Sequence, residues 1–269
     1  MSEKKFARIL LTGAAGGLGK VLRKGLIPFT HALRISDRAD LGQANGIEEV
    51  MLCDLADKEA VHHLVEGVDA VVHFGGISLE DRFEPILQSN IVGVFNIYEA
   101  ARKHGVKRVV FASSNHVTGF YKQSERIDTE APMRPDGLYG ISKCFGENLS
   151  RFYFDRYGIE TVCLRIGSAF PTVRDRRMLA TYLSYDDLIE LVRRALFVPN
   201  VGHTVIFGMS DNSRSWWDNS KAAHLGFAPK DAADTQQERV EATSPPFNAG
   251  DPAGIYQGGA FVALGPYDE

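Results

Sequence analysis

The sequence predicts an α/β fold in which helices cover both faces of a parallel, doubly wound sheet. Two observations lead to this prediction: short apolar strands alternate with helical segments, and most strands end at a glycine or a polar residue. Strands that are apolar throughout are buried on both faces, which is typical of parallel sheets between two helix layers. Ligands of such sheets bind beyond the carboxyl ends of the strands.

The individual elements follow from the spacing of apolar residues and from capping residues. Helices are predicted over residues 21–26, after Asp57, over 91–101, over 139–157 and after Ser184. The chain from 229 to 258 is polar and rich in proline and glycine, so we expect long loops there. The predicted strands cover residues 7–12, 32–36, 50–53, 69–74, 108–112, 160–165 and 205–207.

Composition places the chain among ordinary globular proteins. It has 269 residues, of which 44% are hydrophobic and 24% charged, enough for a large core. We expect a single domain over residues 1–269. Because the alternating pattern loosens after Ile166, we also expect the segments that form a small substrate-binding cap to lie mainly within residues 168–269.

Charge, hydropathy and cysteine content exclude several partners. A formal net charge of −4 gives no electrostatic reason to expect nucleic acid or an anionic membrane. No apolar run approaches the roughly 18 residues that a membrane span needs, and the N-terminus lacks the apolar segment of a signal peptide. Cys53, Cys144 and Cys163 are widely spaced, which suits neither a disulfide framework nor a zinc site. We therefore expect a cytoplasmic protein without a metal.

A glycine-rich turn, Gly13-x-x-Gly16-x-x-Gly19, follows the first predicted strand. Such glycines permit a tight turn, close approach of the backbone to a pyrophosphate, and close packing of the next helix. The turn therefore predicts a dinucleotide site of the Rossmann type. The expected cofactor contacts are Gly13, Ala15, Gly16, Gly17, Leu18, Gly19, Asp37, Asp54, Leu55, Gly75, Asn90 and Lys143. For Asp54 and Asn90, a helix-capping role is the alternative.

Asp37 indicates which dinucleotide is bound. It lies 24 residues after Gly13, at the end of the second predicted strand. A carboxylate at this position accepts hydrogen bonds from the ribose diol and repels a 2′-phosphate, which favours NAD over NADP. Arg34 and Arg38 are the evidence against this preference, since a nearby arginine accommodates that phosphate.

Tyr139, Lys143 and Ser114 form the candidate catalytic set. Residues four apart on a helix share a face, so the Tyr139 hydroxyl and the Lys143 ammonium can point into one cleft. We expect the lysine cation, together with the positive charge of an oxidised nicotinamide, to lower the pKa of Tyr139 so that it acts as a general base. Ser114, 25 residues before the tyrosine, would orient the reacting oxygen.

These motifs resemble the extended branch of the short-chain dehydrogenase/reductase superfamily. Within it, residues 75–78, 111–116, 134–148 and 216–220 look like the corresponding stretches of uronate dehydrogenases. The resemblance implies NAD-dependent oxidation of D-glucuronate or D-galacturonate at C1 to the aldaro-lactone, by a homo-oligomer. It also implies the substrate contacts: Ser78, Ser114, Asn115, His116 and Ser168 for the sugar hydroxyls, Tyr139 for the C1 hydroxyl, and Arg177 for the carboxylate.

Several alternatives stay open at the level of sequence. Chemistry alone does not distinguish Arg174 and Arg176 from Arg177 as the carboxylate ligand. It also does not choose between the two uronates, which differ only in C4 configuration. A nucleotide-sugar epimerase or dehydratase would share the Ser/Tyr/Lys set but needs a larger cap, whereas a non-catalytic dinucleotide sensor typically lacks the tyrosine or lysine that this chain keeps.

Overall fold

A parallel seven-stranded sheet lies at the centre of the protein. The computed structural model describes residues 5–265 and 267. The described part of the chain forms eleven strands, seven of which belong to this sheet. They are β1 (Phe6–Thr12), β2 (Thr30–Ser36), β3 (Glu48–Val50), β4 (Ala70–His73), β5 (Arg108–Ser114), β6 (Ile127–Asp128), β7 (Glu160–Ile166), β8 (Ser168–Ala169), β9 (Tyr182–Leu183), β10 (His203–Gly208) and β11 (Trp217–Asp218). The sheet order is β10-β7-β5-β4-β1-β2-β3, with every pair parallel, and this confirms the predicted doubly wound fold.

Helices cover both faces of this sheet. They are α1 (Gly17–Gly25), α2 (Lys58–Val65), α3 (Phe83–Ile86), α4 (Gly93–His104), α5 (Leu138–Tyr157), α6 (Met178–Thr181), α7 (Tyr185–Phe197), α8 (Gln237–Thr243) and α9 (Pro252–Ile255). A π-helical turn, Leu87–Val92, joins α3 to α4. Single 3₁₀ segments span Ile27–Phe29, Asn115–Thr118, Ser220–Leu225, Ala233–Gln236 and Gly259–Ala263.

The strands divide the apolar core into two layers. On β1, Ile9 and Leu11 face the layer that contains α1 and α7, whereas Leu10 faces the layer of α2, α4 and α5. All three side chains are fully buried. This alternation along a strand that is apolar throughout is why the sequence predicts a sheet covered on both sides.

The predicted third strand and the predicted loops near the C-terminus differ from the structure. The third strand ends at Val50 and not at residue 53, although Met51 and Cys53 still donate single backbone hydrogen bonds to Ile35 and Asp37 at the edge of β2. Residues 229–258 also contain α8 and α9, where we expected loops. These helices are only seven and four residues long. Helix α8 is held against the rest of the protein by Val240, which packs into a small apolar cluster with Met178.

The two capping predictions hold, one with a difference. Asp57 caps α2 by accepting from the Glu59 and Ala60 amides. Ser184 caps α7 by accepting from the Asp187 amide. In a capping box, the Asp187 carboxylate would in turn accept from the Ser184 amide. Here the Ser210 hydroxyl lies between the two groups, accepting from the Ser184 amide and donating to the Asp187 carboxylate.

Segments after β7 pack beside the carboxyl edge of the sheet. Gln257 ties the C-terminal part to the rest: its side chain is fully buried, accepts from the Trp217 indole and donates to the carbonyls of Lys122 and Glu125. None of the helices in the described part of the chain combines the length and the apolar composition needed to cross a membrane.

A buried ion pair braces α5 against the sheet. Glu147 on α5 and Arg165 on β7 form two hydrogen bonds of 2.8 and 2.9 Å, and each side chain is 2% exposed. Glu147 also accepts a 2.5 Å hydrogen bond from Ser113, the neighbour of Ser114 on β5. The pair therefore fixes the position of α5 relative to β5 and β7.

Replacing Glu147 by alanine should lower the free energy of unfolding by about 3–5 kcal/mol, because Arg165 would remain buried without its counter-charge. Urea unfolding followed by circular dichroism measures this. Asp155→Ala is the matched control, since it removes the exposed Arg151–Asp155 pair and should cost no more than about 0.5 kcal/mol. Equal losses in the two variants would contradict the bracing role.

Candidate active site

One large cleft runs along the carboxyl edge of the sheet. Its volume of about 1590 Å³ exceeds the roughly 300–1,000 Å³ of a pocket for a single small ligand. The structure brings the following predicted site residues together in its lining: Gly13, Gly16, Gly17, Leu18, Gly19, Asp37, Asp54, Leu55, Gly75, Ser78, Ser114, Asn115, His116, Tyr139, Lys143, Ser168 and Arg177. Ala15 and Asn90 are not part of this lining.

The glycine turn is shaped by close approach of backbone to backbone. Gly13 has a φ of +73°, a conformation that residues with a side chain rarely adopt. A Cβ atom on Gly19 would overlap the carbonyl oxygen of Gly13, so only glycine lets α1 begin this near to β1. Gly16, the residue before α1, provides no side-chain cap, and the first residues of the helix line the cleft, where uncapped helix amides attract anions.

Asp37 lies at the end of β2, beside this turn. One carboxylate oxygen accepts from the Ala15 amide at 3.0 Å and the other from the Ala39 amide at 3.1 Å. Ala15 therefore acts beneath the turn, by fixing Asp37, and not in the cleft itself. The two amides thus fix the carboxylate of a residue that lines the cleft.

The neighbouring charges bear on the choice of dinucleotide. Arg34 is committed elsewhere, because it pairs with Glu49 at 3.2 Å and donates to the carbonyls of Leu64 and Glu66. Arg38 does line the cleft, where it is exposed and lies 3.7 Å from Asp54. Of the two arginines that could bind a 2′-phosphate, Arg34 therefore does not lie in the cleft and only Arg38 does.

Asn90 lies behind the cleft wall. Its side-chain oxygen accepts from the Ile77 amide at 2.8 Å, and its nitrogen donates to the Ile77 carbonyl and to the Ser142 hydroxyl. It is buried within the π-helical turn, so helix capping does not describe it either. Its role is to hold the turn after Gly76 against α5.

Helix α5 places the candidate catalytic side chains. Gly137, the residue before this helix, offers no side-chain cap, and the carboxylate of Glu80 instead accepts from the amides of Leu138 and Tyr139 at 2.8 and 2.9 Å. Glu80 thus links the loop that carries Ser78, exposed at the rim of the cleft, to the first turn of α5.

Tyr139 and Lys143 are both 7% exposed, and their surroundings shift the pKa of each side chain in the direction that favours its neutral form. Burial raises the pKa of Tyr139 to about 12, against a smaller opposite effect of the Ser114 hydroxyl. Burial also lowers the pKa of Lys143 to about 8. The Lys143 nitrogen lies 5.5 Å from the centre of the Tyr139 ring and 5.2 Å from that of Phe111.

The spacing of Tyr139 and Lys143 brings their side chains together, as predicted. The protein's own groups raise the pKa of Tyr139, with burial as the largest cause, so the expected lowering depends on the nicotinamide charge that the prediction also included. A further positive charge is needed before Tyr139 can act as a base near neutral pH.

Arg177 lies at the opposite side of the cleft from the glycine turn, next to Ser168 and Asn115. Its Nε donates to the Gln257 carbonyl at 2.7 Å, one terminal nitrogen lies 3.3 Å from Ser168 Oγ, and the other donates to Asn115 Oδ1 at 2.9 Å. No carboxylate in the described part of the chain forms an ion pair with it. Burial lowers its pKa to about 10, opposed by Asp175 and Asp136.

The structure separates the three arginines that the sequence could not. Arg176 points away from the cleft and donates to the carbonyls of Ser244 and Glu241. Arg174 lines the cleft but is exposed, with its guanidinium 3.7 Å from the centre of the Phe170 ring. Of the three, only Arg177 both lines the cleft and hydrogen-bonds to other predicted substrate contacts.

Sequence reasoning missed four residues of this site: Glu80, Asp136, Gln257 and Phe261. Asp136 hydrogen-bonds the ring of His116 at 2.8 Å, and Phe261 stacks on that ring with centroids 3.9 Å apart. Each lies in a polar or proline- and glycine-rich segment without periodicity, and each acts through a contact distant in sequence. The described residues contain no cluster of three or more His, Cys, Asp or Glu side chains that could hold a metal.

Comparison with known proteins gives a consistent result. Residues 9–216 match the NAD dependent epimerase/dehydratase family. Uronate dehydrogenase of Pseudomonas putida is 61% identical over all of both chains, and that of Agrobacterium fabrum is 50% identical over 95% of this chain and 96% of its own.

Solved structures agree with this similarity. Uronate dehydrogenase of Agrobacterium tumefaciens, solved as a point mutant in complex with NAD, superposes with a TM-score of 0.95 at 48% identity, covering 97% of this chain and 99% of that one. The family that the sequence motifs indicated is therefore confirmed. The chain belongs to the NAD dependent epimerase/dehydratase family, with uronate dehydrogenases among its relatives.

Proposed function

We propose that this protein oxidises D-glucuronate and D-galacturonate at C1 to the aldaro-lactone, with NAD as the hydride acceptor. The observation that carries the proposal is the pairing, in one cleft, of the Tyr139, Lys143 and Ser114 set with a part-buried arginine that has no carboxylate partner among the described residues. The first set performs proton transfer beside a hydroxyl group, and the second is a site for an anion.

The dinucleotide end of the cleft suits NAD. The glycine turn leaves no room for a Cβ at Gly19, the N-terminus of α1 offers free amides for a pyrophosphate, and Asp37 offers a fixed carboxylate for a ribose diol. Gly75, Leu55 and Asp54 line the cleft near that end. The Asp37 charge and the commitment of Arg34 to Glu49 favour NAD over NADP.

The residues of α5 and β5 then perform the chemistry. NAD, when bound, accepts the hydride and brings the positive charge that the protein alone does not supply beside Tyr139. Tyr139 takes the proton of the C1 hydroxyl. Ser114, whose hydroxyl lies next to that of Tyr139, orients the C1 oxygen that gives up this proton. Lys143, with a pKa of about 8 and its nitrogen 5.5 Å from the centre of the Tyr139 ring, would favour the ionised phenol and would donate to the nicotinamide ribose.

Arg177 recognises the carboxylate of the sugar. A planar guanidinium binds a carboxylate through two parallel hydrogen bonds, and its burial strengthens that interaction. Ser168 and Asn115, both in contact with Arg177, would bind neighbouring hydroxyls together with Ser78 and His116, which also line the cleft.

We also propose that the protein self-associates and works in the cytoplasm as a single folded unit of 269 residues, with a cap mainly in residues 168–269. Phe95 on α4 and Ile141 and Phe152 on α5 are 44–51% exposed, and an apolar surface of this kind supports self-association. The three free cysteines are consistent with a reducing compartment.

The substrate assignment is tested by NADH absorbance. Purified protein with NAD should oxidise D-glucuronate and D-galacturonate, and should oxidise the matching neutral hexoses and UDP-sugars far more slowly. Tyr139→Phe should lower the rate by about 10²–10⁴-fold, because the general base is lost while the ring still packs. Equal activity on glucose and glucuronate, or full activity of the variant, would refute the proposal.

Arg177→Ala should raise KM for both uronates by about a hundredfold or more, because a charged hydrogen-bonded partner is lost, while the affinity for NAD stays the same. Steady-state kinetics and NAD titration by fluorescence measure the two effects. Arg176→Ala is the matched control, since its guanidinium is held by backbone carbonyls away from the cleft, and it should leave KM unchanged. An unchanged KM in Arg177→Ala would remove the assigned role.

A further inference from the structure

We propose that Asp136 is a positioning residue that holds His116 as the Nδ1–H tautomer, so that Nε2 accepts a hydrogen bond from a hydroxyl of the bound sugar. The inference deepens the proposed function and rests on it. It depends on the contacts around His116, on the space around Asp136 and on the hydrogen bonds that the carboxylate lacks.

The hydrogen bond between the two side chains fixes the position of the ring proton. Asp136 Oδ2 lies 2.8 Å from His116 Nδ1, and a carboxylate can only accept, so Nδ1 carries the proton. Burial lowers the pKa of His116 despite the raising effect of Asp136, which keeps the imidazole neutral. In a neutral imidazole with a protonated Nδ1, Nε2 is an acceptor.

The orientation of the ring is set by its neighbours. Phe261 stacks on one face of His116, with centroids 3.9 Å apart and planes 25° from parallel, and the Tyr139 ring meets it at 65° and 5.8 Å. His116 lines the cleft, and its Nε2 has no hydrogen-bond partner among the residues that the structure describes. The free acceptor is therefore held beside the proposed base.

The carboxylate of Asp136 has no evident structural purpose apart from His116. Its side chain is 1% exposed, the bond to His116 is its only hydrogen bond within the described chain, and Oδ1 is buried without a partner. Burying a carboxylate with one hydrogen bond costs stability, so the fold alone does not require it. A Cβ atom on Gly119 or on Gly258 would overlap this carboxylate, so both neighbours must be glycine for Asp136 to lie there.

Direct electrostatic effects of Asp136 are the competing explanation. Its charge raises the pKa of Tyr139 and of Arg177, so removal of the charge could change activity without His116. A double-mutant cycle separates the two explanations, because an effect through His116 disappears when His116 is absent, whereas a direct effect on Tyr139 or Arg177 persists.

The experiment uses Asp136→Asn, His116→Ala and the double variant. We expect Asp136→Asn to raise KM for glucuronate roughly ten- to hundredfold, as for loss of a hydrogen bond to a charged group, with the affinity for NAD unchanged. The double variant should match His116→Ala within about twofold. Equal effects of Asp136→Asn in both backgrounds, or an unchanged KM in Asp136→Asn, would overturn the inference.

A second measurement does not depend on turnover. Nitrogen-15 spectra of histidine-labelled protein should show the His116 signal, identified by its absence in His116→Ala, with the proton on Nδ1, and Asp136→Asn should change that pattern. A proton on Nε2 in the unchanged protein would overturn the inference even if uronates are oxidised. Failure of the unchanged protein to oxidise uronates, with the proton on Nδ1, would instead refute the proposed function and with it the sugar contact.

Asp187→Asn is the matched control for loss of a buried carboxylate. Asp187 is 3% exposed and accepts from Ser210 and from the amides of Lys230 and Asp231, away from the cleft. This variant should lower stability and leave KM for glucuronate unchanged. A similar rise in KM would show that the kinetic effect of Asp136→Asn is a general consequence of destabilisation, and the inference would fail.

Discussion

The site depends on one constraint: the cleft withdraws ionisable side chains from water without giving them full counter-charges. Burial is the largest influence on the pKa of four side chains, and in each case it favours the neutral form: Tyr139, Lys143, His116 and Arg177. A fold pays for such groups in stability unless a ligand supplies the missing charge or hydrogen bond. The cleft is therefore arranged for one positive and one negative ligand group, at different places.

The sheet makes this arrangement possible because it fixes where the burial occurs. The carboxyl ends of β1, β2, β4, β5 and β7 form one edge of the sheet. Helix α5 packs against β5, and its residues Tyr139 and Lys143 line the cleft at this edge. Glu80 holds the first turn of α5, and the Glu147–Arg165 pair holds its middle. The proposed proton transfer by Tyr139 thus depends on interactions that lie outside the cleft, and their loss would displace Tyr139 although neither interaction involves its side chain.

The sequence predicted what is encoded locally. Apolar strands, the glycine turn, the four-residue spacing of Tyr139 and Lys143 and the capping by Asp57 depend on neighbours along the chain, and the structure agrees with each of them. The pKa of Tyr139 depends on burial as well as on proximity to Lys143, and the spacing along the chain indicates only the proximity. Asp136 and Phe261 were missed because they meet His116 across 20 and 145 residues of chain. The choice of Arg177 over Arg176 likewise depends on the carbonyls of Gln257 and Ser244, which no local pattern reveals.

Substrate preference follows from the same constraint. Arg177 is held by a backbone carbonyl, Ser168 and Asn115, which orient its guanidinium but do not neutralise it. Under the proposed function, a uronate carboxylate supplies the missing charge, whereas the C6 hydroxyl of a neutral hexose leaves the guanidinium without a counter-charge. A hydrogen bond to a charged group contributes about 1.5–3 kcal/mol, so a neutral hexose should be rejected about tenfold or more before any other contact is counted. On this proposal, selectivity for uronates is a consequence of where the fold places Arg177, and it requires no steric exclusion of the neutral sugar.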